Sequence, residues 1–212
     1  MLSNTGFLDA IREVGSPQTL SAGIQLFRQG DPIRDIYLLE KGLVKFIRTE
    51  MNGREMITEI RSGRSLLGVT SVFASQPAPT TLITLVSCEV YRVPVKEFLY
   101  LEKMNSAFTH TLLERISCQR NEQTVRHSQI SLISARTRLE QLLAQFMDEF
   151  GVKRNGQLHL CLPISKGDIA GLLAVTPQRL SVILAEMKED GLLLEGKGWL
   201  IFSGRLSGIA CN

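Results

Sequence analysis

Ser165-Lys166-Gly167-Asp168 sets a hydroxyl and a carboxylate three residues apart, the spacing at which both can satisfy orphan backbone amides at the start of a helix. Thr176-Pro177 repeats the signal with a capping hydroxyl and a proline at the first helical position, so a second helix begins two residues after the first ends near Ala174. Leu180, Ile183, Leu184 and Met187 recur at i, i+3, i+4 and i+7, which leaves Gln178, Arg179, Ser181, Val182 and Ala185 mostly outside, and Gly191 stops the helix. Arg179 lies in the first turn, where the helix dipole is positive and an acid would be the stabilising choice. An anionic partner resolves that conflict, and a phosphate or the edge of a guanine qualifies. The donor and acceptor geometry sends Gln178 toward adenine and Arg179 toward guanine. Ser165, Lys166 and Lys197 are candidates for phosphate contacts, which position without specifying. Thr176, Pro177, Ser181 and Val182 complete the candidate surface.

Two short helices around a tight turn, with the small Ala170 where they cross, have helix-turn-helix spacing. Leu192 to Glu195, the turn Gly196-Lys197-Gly198 and Trp199 to Phe202 add a hairpin, or wing. Upstream, Ala135 to Phe150 is amphipathic through Leu139, Leu142, Leu143, Phe146 and Met147. Lys153-Arg154-Asn155-Gly156 reads as a polar turn and Leu158 to Ile164 as a short strand.

Ser106 to Ile133 contains neither Gly nor Pro and predicts one long helix after a shorter one at Lys96 to Met104. Phe108, Leu112, Leu113, Ile116 and Val125 give it an apolar stripe longer than one small domain covers, which points to a seam against a second copy of the chain. From Thr19 to Val95 the pattern is short alternating runs, Asp35 to Lys41, Leu43 to Glu50 and Glu55 to Arg61 among them, separated by turn residues. Asn52-Gly53 between two of these runs supplies positive φ angles for a tight hairpin. Gly30, Gly42, Gly63 and Gly68 add turns suited to a small barrel or roll.

At 212 residues the chain has room for two domains, expected at 1–134 and 135–212. Its 44% hydrophobic and 21% charged residues support a packed core and exclude a disordered chain. A net charge of +3 permits a polyanionic partner without demanding one. Apolar runs such as Leu82 to Val86 and Ile169 to Val175 fall short of the ~18 residues a membrane helix needs, and no basic residue precedes Arg12, so a cytoplasmic protein is expected. Cys88, Cys118, Cys161 and Cys211 are scattered, without metal-ligand spacing, and read as structural thiols, with Cys118 the one candidate for redox sensitivity. No His lies between Thr19 and Val95, which removes the ligands of a metal-dependent β-roll enzyme.

With these segments in this order, the chain from about Thr19 to Phe202 resembles the Crp/Fnr superfamily of bacterial transcription regulators. Val93-Pro94 before Phe98, and Asp168-Ile169-Ala170 through Gly191-Leu192, carry the likeness. The resemblance implies an α+β chain: a cyclic-nucleotide-binding-like β-roll, a long dimerisation helix and a C-terminal winged helix-turn-helix reading double-stranded DNA as a homodimer, with RNA polymerase as a further partner. The alternative is a sensor module of that fold acting on a protein partner. Members that bind cyclic AMP carry Gly-Glu and then Arg with Ser or Thr in the roll. Here Gly68-Val69 and Pro79-Thr80 stand at those positions, so both charged ligands are missing. The implied effector pocket comprises Gly68, Val69, Thr80, Thr81 and, from the long helix, Gln123 and Thr124. Cyclic AMP is therefore not expected as effector. An iron-sulfur cluster is not expected either, since no Cys precedes Cys88, and haem would have to use His110, His127 or His159. Where family members often carry Arg and Glu at the start of the recognition helix and another Arg further on, Pro177, Gln178 and Val182 stand here, which predicts a different operator.

Overall fold

Helix α1 (Asn4–Val14) leads into strands β1 (Ser16–Leu20), β2 (Gln25–Phe27), β3 (Asp35–Lys41), β4 (Leu43–Thr49), β5 (Glu55–Ser62) and β6 (Ser65–Leu67). A short helix α2 (Val69–Phe73), strands β7 (Thr81–Thr84) and β8 (Cys88–Pro94), and helices α3 (Val95–Met104) and α4 (Ser106–Leu132) follow. The computed structural model describes residues 4–154, 157–160, 164–196 and 199–202. The chain divides into two compact units, 1–123 and 124–212, so the division falls inside α4 and earlier than the boundary expected after residue 134.

In the first unit two four-stranded antiparallel sheets, ordered β1-β8-β3-β6 and β2-β7-β4-β5, form the expected roll. Strand β3 buries four residues in a row, Ile36 to Leu39. Successive side chains of a strand point to opposite faces, so both faces of β3 must be covered. Tyr37 and Leu39 join Val44, Leu82, Cys88 and Val90 between the sheets. Ile36 and Leu38 face a second core, made with Phe7 of α1, Phe98 of α3 and Phe108 of α4. Phe7 stacks on Phe108 at 4.5 Å between ring centroids, and Phe98 meets Phe108 edge-on at 5.6 Å. Phe108 and Leu112 are 0% and 2% exposed in this core, which corrects their expected place on a seam between copies.

Three local expectations are revised. Residues 4–14, where the sequence pattern predicts no element, form α1, whose Phe7, Leu8 and Ile11 are buried, and the roll begins at Ser16 rather than Thr19. Gly53 alone, and not Asn52, takes a positive φ (78°) in the β4–β5 hairpin. The Glu50 N–H donates to the Arg54 carbonyl at 2.9 Å around a three-residue loop, a geometry that asks for one left-handed residue rather than two.

The second unit contains α5 (Ala135–Phe150), β9 (Gly151–Arg154), β10 (Gln157–Leu160), α6 (Lys166–Leu172), α7 (Pro177–Glu189), β11 (Leu193–Gly196) and β12 (Trp199–Phe202). Its sheet runs β11-β12-β10-β9. Lys153 and Arg154, read as part of a turn, therefore belong to a strand paired with β10, because a polar edge strand lacks the apolar alternation that marks one. Of the strand expected over Leu158 to Ile164, β10 covers the part up to Leu160, and residues 161–163 lie outside the described residues.

Candidate functional site

The chemistry-bearing turn is built as its caps dictate. Ser165 Oγ accepts from the Asp168 N–H at 3.0 Å at the start of α6, and Thr176 Oγ1 accepts from the Arg179 N–H at 3.2 Å at the start of α7. Helices α6 and α7 are bent 97° to each other, within the range of helix-turn-helix units. Ile169 and Ala170 are buried at the crossing, and Ala174 in the turn takes φ 53°. On α7 Leu180, Ile183, Leu184 and Met187 are buried, while Thr176, Pro177, Gln178, Arg179, Ser181 and Val182 are exposed together on the other side. Ser165 and Lys166 stand at the neighbouring helix start, both exposed, with the Ser165 hydroxyl engaged as the cap of α6. Lys197 lies outside the described residues.

Two of the exposed groups already have internal partners. Ser181 Oγ donates to the Pro177 carbonyl at 3.0 Å. Arg179 Nη1 lies 3.7 Å from Glu186 Oε1, two turns along the same helix, with both side chains about half exposed. A long, solvated pair of this kind is worth little and leaves the guanidinium available to a stronger anion.

In the first unit a cavity of about 430 Å³ is lined by Gly68 and Thr80 of the roll and Gln123 of α4, as expected. Gly68 reaches it with φ 92°, and a Cβ there would fall 3.2 Å from Ile33 Cγ2. Three expected members do not line it. Val69 is 4% exposed in the core beside Phe98, Thr81 Oγ1 accepts from the Gln29 N–H at 3.0 Å, and Thr124 falls in the second unit.

Charge enters the pocket from elsewhere. Glu59 and Arg61 lie two apart on β5 and so share a face. The Arg61 Nε and Nη2 donate to the two Glu59 carboxylate oxygens at 2.9 Å each, and Nη1 donates to the Leu66 carbonyl at 3.0 Å. The Arg61 guanidinium also lies 4.9 Å from the centre of the Phe46 ring. From α4, Gln123 Nε2 donates to Glu59 at 3.3 Å, and Gln119, with its amide oriented to satisfy both its ends, accepts from Arg61. Both members of the ion pair are thus already engaged, and α4 is tied to the sheet through them.

The rest of α4 is sorted by burial. Ile116, expected on the seam, lines the pocket, whereas Leu113 and Val125 are 59% and 54% exposed. Leu132 is more exposed still, and Cys118, the candidate for redox sensitivity among the thiols, is exposed as well. Cys88 is buried, and burial pushes its thiol pKa up. His110 is exposed and 3.7 Å from Glu114, outside the pocket. The side chain of His127 lies outside the described residues, and His159 sits on β10.

Residues 17–105 match the cyclic nucleotide-binding domain and residues 137–203 the Crp-like helix-turn-helix domain. The chain belongs to the Crp/Fnr family of transcription regulators. It is 25% identical over 196 residues to Electron transport regulator A of Shewanella oneidensis, covering 90% of this chain and 75% of that one. Among solved structures, FixK2 from Bradyrhizobium japonicum matches with a TM-score of 0.77 at 16% identity, covering 93% of this chain and all of the other. The c-di-GMP responsive global regulator CLP of Xanthomonas campestris matches with a TM-score of 0.76 at 20% identity, over 95% and 100% of the two chains. As a regulator of this type the chain binds DNA through its helix-turn-helix domain and controls transcription.

Among the residues that sequence reasoning missed in the regulator's pocket are Glu59, Arg61, Gln119 and Arg120. A Glu-x-Arg pair on a half-buried strand is a signal visible in sequence, but only the closure of the roll shows that its face turns toward α4.

Proposed function

We propose that the chain is a homodimeric transcription regulator whose two α7 helices read the halves of a two-fold-symmetric operator, acting by binding rather than catalysis. The observation that carries this is the division of α7 into a buried apolar face and an exposed face holding Gln178, Arg179, Ser181 and Val182. Gln178 and Arg179 read adenine and guanine edges, while Ser165, Lys166 and Lys197 hold phosphates. The dimer forms along the outward side of α4 through Leu113 and Val125, whose exposure in the single chain supports the reading. The regulator works in the cytoplasm with RNA polymerase. Among the described residues no helix is long and apolar enough to cross a membrane.

The roll is a sensor that does not use cyclic AMP. Where a cyclic phosphate needs a guanidinium from the roll, Pro79 offers none and Arg61, which lines the pocket together with Arg120 of α4, is held by Glu59. Selecting bound sites from random DNA tests the proposal. The expected product is a palindrome with half-site centres about 10 base pairs apart. Recovery of asymmetric sites, or of no common sequence, would overturn it.

A further inference from the structure

Helix α5 opens with Ala135-Arg136-Thr137-Arg138, two cations and no acid in the turn where a helix is positive. Both guanidinium groups leave that end for the C-terminal ends of other helices. Arg138 Nη2 donates to the carbonyl of Leu173, the cap residue of α6, at 2.8 Å. Arg138 Nη1 donates to the carbonyl of Ile133, the first residue beyond α4, at 2.7 Å. Carbonyls at the end of a helix lack intrahelical partners and sit in a negative field, so one planar fork satisfies two such ends at once. Arg136 does the same for the third helix. Its Nη2 lies 2.6 Å from Oδ2 of Asp190, the cap residue of α7, while its Nε lies 3.1 Å from Glu140 on α5 itself. An acid at the C-terminal end of α7 opposes that helix's dipole, and Arg136 offsets it.

Between α4 and α5 the chain has only Ile133 and Ser134 outside helix, a break about which the reader would swing if the backbone alone joined them. We propose that Arg136 and Arg138 are positioning residues that lock the recognition helix to the end of the long helix and thereby set the distance and rotation between the two half-sites. This rests on the reading of α4 as the dimer element and α7 as the reader. Arg138 holds α6 to the end of α4, α6 holds α7 through the buried crossing at Ile169 and Ala170, and Arg136 holds the far end of α7. Both arginines are engaged away from the exposed reading face of α7, so the lock governs where the two readers sit and not what each reads. A lysine carries one compact ammonium and cannot serve two separate carbonyls in the fixed fork that Arg138 uses.

The test uses the full chain and the operator selected for it, with the half-sites moved closer by one base pair or apart by one or two, together with DNA carrying a single half-site. One added base pair displaces and rotates a half-site, so the native protein should lose about tenfold or more in affinity at each altered spacing. Arg138→Gln should flatten that loss to below about threefold while single-half-site affinity stays within about twofold, because the reading face is untouched. Arg138→Lys keeps one bond and should fall between, and Arg136→Gln, at a partly exposed pair that tolerates change, should flatten it in part. Thermal unfolding of each variant separates loss of positioning from loss of folding, and if Arg138→Gln does not fold, the other two variants decide. Retention of the full spacing penalty by the folded variants overturns the inference alone. A parallel loss on the single half-site also overturns it, since that would mean a damaged reader. A native protein indifferent to spacing overturns the dimeric reading and this inference with it.

Discussion

Adding cyclic AMP to the native protein and to Glu59→Gln asks whether the pocket's own carboxylate holds the place a ligand anion would need. Arg61 makes two charge-assisted bonds to Glu59 at 2.9 Å between side chains only 17% exposed. Such bonds contribute about 1.5–3 kcal/mol each when fully formed in a dry site, and partial exposure brings the pair down to about 2–3 kcal/mol together. A phosphate must displace Glu59 to reach the guanidinium, and that difference corresponds to about 30- to 150-fold in Kd. Calorimetry on nucleotide-free protein should therefore detect no micromolar binding to the native chain. Glu59→Gln keeps the shape but removes the competing charge, and should bind the nucleotide tighter by roughly that factor. The removal also frees Gln123 of its charged acceptor. Micromolar or tighter binding by the native chain, or equal affinity in the two proteins, would refute the reasoning.

Further outcomes follow from the placement of single residues. Arg179→Ala should weaken binding to the selected operator by about 1–3 kcal/mol and relax preference at one base per half-site. Lys166→Ala should weaken all sequences alike and lower the slope of affinity against salt by about one unit for each phosphate no longer neutralised, so gel shifts over a salt series tell the two roles apart. Leu113→Glu with Val125→Glu puts like charges on the exposed side of α4 and should give monomers by sedimentation, with operator binding abolished. Phe108→Ala removes a fully buried ring stacked on Phe7 and edge-on to Phe98, and should cost about 3–5 kcal/mol in urea unfolding while the protein remains a dimer. A dimer that dissociates with Phe108→Ala would return that residue to the seam.

The elements of this regulator were legible because each carries a local rule. Short runs rich in apolar and β-branched residues between turn residues marked β3, β4 and β5, the capping hydroxyls of Ser165 and Thr176 marked the starts of α6 and α7, and the apolar repeat on α7 separated its inner face from its outer one. Helical periodicity states which residues share a face, and on α7 one face was apolar and the other polar, so the sequence alone oriented it. On α4 the same reasoning had two apolar faces to choose between. Phe108 and Leu112 went to the core and Leu113 stayed outside, a distinction of one residue that only the packing of α1 and α3 against the helix makes. The pocket was decided in the same way. Val69 turned into the core, while Glu59 and Arg61 met Gln119 and Gln123 across the sheet-to-helix gap. Residues 59 and 123 lie far apart along the chain, and local propensity carries no information about which distant side chains a closed roll brings within hydrogen-bonding distance.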